Sequence, residues 1–367
     1  MIEKPLKMPP KVAKLKKLGE GSFGCVVSRP LECSGKETMI TTMDEGKKRQ
    51  VAKLFYEKDK YQNEVRLAKL SKSIDPSEEK ILVPTYACSV SKKTLNDPMN
   101  VSAISKCENL ASINNASSYL YGEKGSPSPA KVWQLVMPYG GTDIDAALER
   151  RKNKISVRSI ARMMLPIFEA LVLLRDKQEV HQDIKAENVL AYKTKAILID
   201  FSLMLPFKKI YAPKNYNKLK RKYRPYPPEY YLASLMIKHS NDFKALRSQE
   251  VRDYMMKHYK EHLERIQSFF YPYYTLTELL EESNSGSLVV MVMKDYTRLE
   301  EYADKIDVYS VGTLLADITP FISNPMSNDA FVSFIRSILH PDPRQRMGPE
   351  DALAMCRTIA GVKKNKK

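Results

Sequence analysis

Glycine is sparse in this chain, thirteen in 367 residues, and tryptophan occurs once. The cysteines number five, Cys25, Cys33, Cys88, Cys107 and Cys356. They are scattered, odd in number, and never spaced as CxxC. A disulfide framework or a structural zinc site is therefore not expected, and a reducing compartment is. No long apolar run is present. The greasiest stretch, Met163 to Leu174, is interrupted by Pro166 and Glu169 and is too short to span a bilayer. The first residues, MIEKPLKMPPKVAKLKKL, lack the continuous apolar core of a secretory signal. These absences together point to a soluble cytoplasmic protein with no membrane span.

Negative charge is also in short supply. Sixty Lys+Arg stand against 43 Asp+Glu, a formal net charge of +17. Such a field attracts nucleic acid, anionic surfaces and acidic or phosphorylated proteins without choosing among them. No helix-turn-helix, zinc-finger or RNA-binding signature accompanies it, so nucleic acid has no support beyond the charge itself. With 43% hydrophobic and 28% charged residues, the composition is that of an ordinary globular protein able to bury a sizeable core.

Strand signals crowd the first third. Residues 12–30 read as strand, glycine-rich turn and strand, and VAKLF reads as another strand after a loop over 33–49. Glu57 to Leu70 has the spacing of an amphipathic helix. Residues 95–130, rich in Ser, Asn, Gly and Pro, read as a long loop or insertion. The strand WQLVM ends at Pro138 and a Gly140-Gly141 turn. Beyond it helical periodicity dominates, apart from short strands at VLAY and AILID. Val251, Met255, Tyr259, Leu263, Ile266 and Phe270 recur at helical spacing in a long stretch from Tyr230 to Glu301. The expected class is α+β in two parts, strand-rich then helix-rich.

Four groups of residues carry chemistry. Gly19, Glu20, Gly21, Ser22, Phe23 and Gly24, followed by Val26, lie between two strands. Glycines at that spacing let a backbone approach phosphates closely, although a lone GxGxxG also occurs by chance. Val51-Ala52-Lys53 puts a lysine inside an apolar strand, where it needs an anionic partner, and Glu64 on the next helix is a candidate. The third group, His181-Gln182-Asp183-Ile184-Lys185-Ala186-Glu187-Asn188, is the most specific. Asp200 follows the apolar run AILI, and a carboxylate at the end of a buried strand is costly unless it meets a cation.

At HQDIKAEN the chain resembles the eukaryotic protein-kinase superfamily, in its serine/threonine form, whose catalytic loop reads HRDxKxxN. The resemblance implies a bilobal kinase fold, ATP and Mg²⁺ as cofactors, and proteins as substrates. It makes Asp183 the residue that orients the acceptor hydroxyl and takes its proton, and Lys185 the one that neutralises the transferring phosphoryl group. Asn188 and Asp200 become metal ligands, and the pair Lys53 and Glu64 holds the α/β-phosphates. The nucleotide site would take in Gly19 to Gly24, Val26, Ala52, Lys53, Met137 as gatekeeper, the hinge Pro138, Tyr139 and Gly140, and Leu190 as apolar floor. Pro227-Pro228-Glu229 resembles the APE motif and Asp342-Pro-Arg-Gln-Arg346 the late DPxxR, which implies a Glu229–Arg346 ion pair. Asp307-Val-Tyr-Ser-Val-Gly312 resembles the start of the central helix of the large lobe. The implied organisation is a basic extension (1–14), an N-lobe (15–138, with the insertion 95–130), a C-lobe (139–357, with a helical insertion over 231–300) and a basic tail (358–367). HQDIKAENVL and YPPEYY, with that long insertion, look like the divergent kinases of large DNA viruses, which would place the protein in host cytoplasm, viral factories or the virion.

Four departures qualify the resemblance. Gln182 replaces the arginine that often reads an activation-loop phosphate, and Leu203 to Glu229 contains no serine or threonine. Activity independent of Ser/Thr phosphorylation in that loop, or activation by a partner, is the expectation. The same loop carries eight basic residues, Lys208, Lys209, Lys214, Lys218, Lys220, Arg221, Lys222 and Arg224, and no acidic one before Glu229. That predicts either a solvated loop or a preference for acidic or already phosphorylated substrates. Ser202 stands where the family has the glycine of DFG, which with Gln182 motivates the alternative of an ATP-binding pseudokinase scaffold. His258-Tyr-Lys-Glu261-His262 formally matches the HxxEH zinc-peptidase motif, but a helical face with no third ligand is the more ordinary reading.

Overall fold

A computed structural model describes residues 14–21, 24–41, 49–107 and 131–362. The basic extension, the tail and residues 108–130 of the expected insertion lie outside them, apart from Lys14 and residues 358–362. The chain forms two compact units. One takes in the residues up to Lys72 together with Val83–Tyr139, the other Ser73–Leu82 with everything from Gly140 onward.

The first unit is built on strands β1 (Lys17–Gly21), β2 (Gly24–Val27), β3 (Thr38–Met39), β4 (Gln50–Phe55), β5 (Tyr86–Ser89) and β6 (Trp133–Pro138). They form one antiparallel sheet in the order β1-β2-β4-β6-β5-β3. Alternation along β4 sorts its side chains between two faces. Phe55 packs with Leu135, Tyr61 and Val65, so this face meets helix α1 (Lys58–Ile74). Tyr61 lies edge-on to Phe55 and stacks on Trp133, each at 6.0 Å between ring centres. Ala52 and Leu54 face the other way, into a cluster with Val27, Leu95, Ala103 and Ile104.

That second cluster corrects the reading of residues 95–130 as loop throughout. Lys92–Leu95 is a helical turn (α2) and Pro98–Ile104 a helix (α3). Ser91 Oγ accepts from Thr94 N at 3.2 Å and Asp97 Oδ1 from Met99 N at 2.9 Å, with Pro98 at the first helical position. The polar composition belonged to caps and to an outer face, while Leu95, Ala103 and Ile104 are buried.

The cysteines correct a second expectation. Cys25 is bonded to Cys107 and Cys33 to Cys88, with Cα separations of 5.7 and 5.8 Å. The pairs are 82 and 55 residues apart in sequence, so no local spacing could announce them. The sheet brings them together, tying β2 to the end of α3 and the segment after β2 to β5. Cys356 is the free thiol, buried, and burial pushes its pKa up to about 12.

The second unit is mostly helical. The helices Val157–Asp176 and Pro349–Ala360 pack lengthwise on each other, and Arg162 Nε caps the second by donating to Ala360 O at 2.8 Å. Residues Ile306 to Ala316 of the helix Ile306–Asp317 are buried without exception, which makes it the axis of this unit. Short strands hang from this frame: β7 (Thr142–Asp143), β8 (Ile155–Ser156), β9 (Glu179–Val180), β10 (Val189–Tyr192), β11 (Lys195–Leu198), β12 (Leu205–Pro206) and β13 (Ile322–Ser323). The stretch over 231–300 is helical as its periodicity predicts, and Val251, Met255, Tyr259, Leu263 and Ile266 are buried.

Glu229 and Arg346 form a doubly hydrogen-bonded pair at 2.8 and 2.9 Å, with both side chains essentially buried. Arg346 also donates to His340 O and lies 5.0 Å over the ring of Tyr309. The HxxEH pattern folds as a helical face: His258 bonds to Glu261 at 3.1 Å, and His262 is buried and stacked on Tyr231 at 4.2 Å. Burial, helped by Arg265 and Lys222, pulls His262 down to about 3, so it stays neutral. Among the described residues no metal-binding cluster of His, Cys, Asp and Glu occurs, and no helix is long and apolar enough to cross a membrane.

Alkylation of the unreduced, denatured protein should label one thiol, and Cys107→Ser should destabilise the first unit by about 2–4 kcal/mol in a thermal melt. Labelling of all five cysteines would refute the pairing. Glu229→Ala, which strands the buried Arg346 cation, should cost about 3–5 kcal/mol by chemical denaturation.

Candidate active site

The glycine-rich turn joins β1 to β2 with Gly19 opposite Val26, Glu20 opposite Cys25 and Gly21 opposite Gly24. Ser22 and Phe23 lie outside the described residues. Gly24 is glycine for packing reasons, because a Cβ there would sit 2.5 Å from Leu54 O. Gly19 is different. A Cβ would meet nothing within 4 Å and the backbone has no positive φ, so the fold itself does not demand glycine there. The bare backbone suits close approach by a ligand. Glu20 is paired with Lys17 at 2.5 Å.

Lys53 comes from the centre of β4, opposite Val26 on one side and Leu135 on the other, with Ala52 opposite Val136. It shares the face that packs on α1, and Glu64 meets it there. Lys53 Nζ donates to Glu64 Oε1 at 2.9 Å, with side chains only 12% and 10% exposed. Along β6, Met137 pairs with Val51 and packs at the edge of the Phe55 cluster, while Pro138 pairs with Gln50. Tyr139 N donates to Arg49 O at 2.7 Å, which removes that amide from ligand binding. In the second unit, a Cβ on Gly140 would lie 2.7 Å from Leu190 Cδ1, so Leu190 is already against the backbone of the expected hinge.

The catalytic-loop candidates hang between β9 and β10. Asp307, at the start of the central helix, accepts from His181 N at 2.6 Å and Gln182 N at 2.9 Å. His181 Nδ1 accepts from Asp183 N at 3.2 Å, which leaves Nε2 to donate to Ile199 O at 3.0 Å. Asn188 Nδ2 donates to Asp183 O and to Asp183 Oδ2, both at 2.8 Å. The amide nitrogen is thus spent on Asp183 and the amide oxygen is the atom left to meet a cation. Lys185 Nζ stands 3.5 Å from Asp183 Oδ1.

Asp200 follows β11, on a backbone with φ of 62°, and its Oδ1 accepts from Ser202 N at 3.3 Å. The left-handed conformation falls on Asp200 rather than on residue 202, so serine at 202 carries no backbone strain here. Phe201 is buried edge-on against His181 at 4.7 Å. Gln182 is buried with φ of 65°, and its side-chain Nε2 has no partner.

Two residues of the basic loop belong to the site and were not signalled by any motif. Tyr223 Oη donates to Asp183 Oδ1 and accepts from Lys185 Nζ at 3.0 Å. Burial and the Asp183 carboxylate push the phenol well above its ordinary range, so it remains a donor. Tyr223, Tyr226, Tyr230 and Tyr211 form a ladder with ring centres 4.9, 5.2 and 5.6 Å apart. The run of tyrosines around Pro227 was the available sequence signal. Lys218, over the ring of Tyr226, is pulled down to about 8 by burial, against the opposing charges of Asp183 and Asp307. A cation therefore reaches this neighbourhood from the loop, where position 182 supplies none.

A model of the protein tyrosine and serine/threonine kinase family matches residues 12–244. No curated protein matches the chain.

Lys218 has a testable pH signature. Its folded pKa lies below the usual lysine value, so the unfolded chain binds more protons between about pH 8 and 10.5. Stability contributed by the neutral form is complete above that window and is lost as pH falls through about 8. Lys218→Met lacks this dependence, so its stability relative to the native chain should fall by up to about 3 kcal/mol as pH rises across the window. A pH-independent difference in denaturant titrations would refute the lowered pKa of this half-buried lysine.

Proposed function

The chain belongs to the protein tyrosine and serine/threonine kinase family, and we propose that it is an active member that moves the γ-phosphoryl group of ATP onto serine and threonine hydroxyls of proteins. The observation that carries this reading is the formed Lys53–Glu64 pair at 2.9 Å. An ion pair at the edge of burial is expensive to keep unless the lysine has phosphates to hold, and a scaffold has no use for it. The assembled Asp183–Asn188 hydrogen bonds support it from the other unit.

The residues fit Mg·ATP. Gly19 leaves backbone open for phosphate, and the Asn188 amide oxygen and the Asp200 carboxylate are hard oxygen donors of the kind that magnesium takes alongside phosphates and water. Bound Mg·ATP would supply the phosphoryl group and part of the charge neutralisation. Lys53, steadied by Glu64, would hold the α/β-phosphates. Asp183 would orient the acceptor hydroxyl and take its proton as the new bond forms. Asn188 keeps Asp183 in position by bonding its second oxygen, and Lys185 would neutralise the transferring group. Leu190, Ala52, Met137, Pro138 and Gly140 are the proposed adenine contacts.

Activation without serine or threonine phosphorylation follows from the same loop. It has no such residue, and position 182 has no arginine to read a phosphate. Lys218 and the tyrosine ladder hold the loop instead. Six of its cations, Lys208, Lys209, Lys214, Lys220, Arg221 and Lys222, stay exposed, whereas Arg224 is engaged with Asp317 at 2.7 Å. That surface favours acidic or already phosphorylated protein substrates.

Labelled γ-phosphate should pass to casein or myelin basic protein with Mg·ATP, and phosphoamino-acid analysis should find serine and threonine. Asp183→Ala should lower the rate by about 10²–10⁴-fold, and a serine/threonine-specific phosphatase should leave it unchanged. Folded protein that binds Mg·ATP and transfers nothing would replace this reading with that of a scaffold. Peptide arrays should favour acidic over basic sequences, and the reverse would sink the substrate preference.

A further inference from the structure

The helix Asp329–Leu339 turns one face toward an open cavity of the second unit. Asp329, Val332, Ser333 and Arg336 recur at helical spacing along one wall, and Tyr274, Glu282 and Met326 stand around the rest of a volume of about 450 Å³. That volume lies within the range of ligand sites. The deeper part of the lining has its charges satisfied. Arg336 Nη1 donates to Glu278 Oε1 at 2.8 Å and to Tyr273 O at 3.3 Å, and Nη2 donates to Glu282 Oε1 at 2.5 Å. The guanidinium lies 4.4 Å over the ring of Tyr274, whose Oη donates to the other Glu282 oxygen at 3.0 Å. His340, held below its ordinary pKa by burial, adds no charge at neutral pH.

The rim is different. Asp329 is exposed and makes no hydrogen bond or ion pair among the described residues, and the Ser333 hydroxyl one turn along has no partner among them either. Val332 is half-buried and Met326 is 46% exposed. A ligand therefore meets one free carboxylate, one free hydroxyl and two apolar side chains. Three carboxylates, Glu278, Glu282 and Asp329, stand here against one guanidinium, a local reversal in a chain of formal net charge +17. A phosphate or carboxylate ligand would be set against Asp329 while the cation of the lining is committed to Glu278 and Glu282. An apolar ligand would bury Asp329 unpaired. A lysine or arginine side chain fits: its methylene stem takes the apolar surface of Met326 and Val332, and its head takes Asp329 and the Ser333 oxygen.

We propose that this cavity is a docking site for a protein partner, which inserts an arginine or lysine side chain from a basic segment of its own. An exposed ion pair by itself is worth little, and the cavity adds what such a pair lacks, apolar walls that hold the stem and draw water away from the head. None of the groups assigned to phosphoryl transfer lines the cavity, so binding here does not depend on the kinase reading.

The test is fluorescence anisotropy with the full chain and a short fluorescein-labelled peptide of arginine, alanine and serine, beside the same peptide with glutamate in place of arginine. The arginine peptide should bind, and the glutamate peptide should bind at least about tenfold more weakly. Asp329→Lys should weaken the arginine peptide about tenfold or more. Ser333→Arg, which sets a cation of the chain's own beside Asp329, should do the same. Both positions are exposed, so both variants should keep the native circular dichroism. Glu300→Lys makes the same charge change as Asp329→Lys at an exposed residue outside the lining and should leave binding unchanged. An equal loss in Glu300→Lys would reduce the effect to general charge and overturn the site. Unchanged binding in both cavity variants, an arginine peptide that does not bind the native chain, or tighter binding of the glutamate peptide would overturn it as well.

Discussion

The loop that carries Asp183 depends on one buried carboxylate. Asp307 lies at the start of a helix with no exposed face, and burial pushes its pKa up. Left alone, an ion there would cost several kcal/mol, and it is accommodated because two backbone amides, of His181 and Gln182, aim at its oxygens. Gln182, which makes one of those bonds, has a left-handed backbone. The next residue is Asp183, whose amide returns to His181 and whose carboxylate is gripped by Asn188. A single charge in the core thus sets the direction in which the Asp183 carboxylate points.

A second buried charge system braces the helices that carry this arrangement. Glu229 and Arg346 satisfy each other, and His340 O and the Tyr309 ring complete the arginine's shell. Tyr309 belongs to the same central helix as Asp307, and Glu229 closes the basic loop that holds Tyr223. The loop, Asp183 and the brace therefore share one scaffold. In the sheet-rich unit the corresponding device is geometric: alternation along β4 puts Lys53 and Phe55 on the α1 face and Ala52 and Leu54 on the other. Packing both faces fixes β4, and with it the reach of Lys53 to Glu64.

Much of the site was legible because catalytic chemistry restricts residue types at short spacings. Asp183, Lys185 and Asn188 sit within one turn of chain, and Lys53 and Glu64 on consecutive elements, so pattern alone could pair them. The Glu229–Arg346 contact was legible through the resemblance, across more than a hundred residues of sequence. The readings that failed were about composition. Serine, asparagine and proline near residue 98 looked like loop because caps and turns use the same residues. The scattered cysteines looked free because a disulfide is a property of where two strands end up, not of their numbering.

From its sequence alone the chain's α+β class, its family and the pairing of Lys53 with Glu64 could be read, since periodicity and motif spacing are local and chemistry tolerates few substitutes. Only the tertiary structure decided that Cys25 meets Cys107, that Lys218 lies half-buried near Asp183 and Asp307, that His262 is a stacked core residue, and that Tyr223 rests its hydroxyl on Asp183. Each is a contact between residues distant in the chain, made by packing geometry that no window of sequence contains.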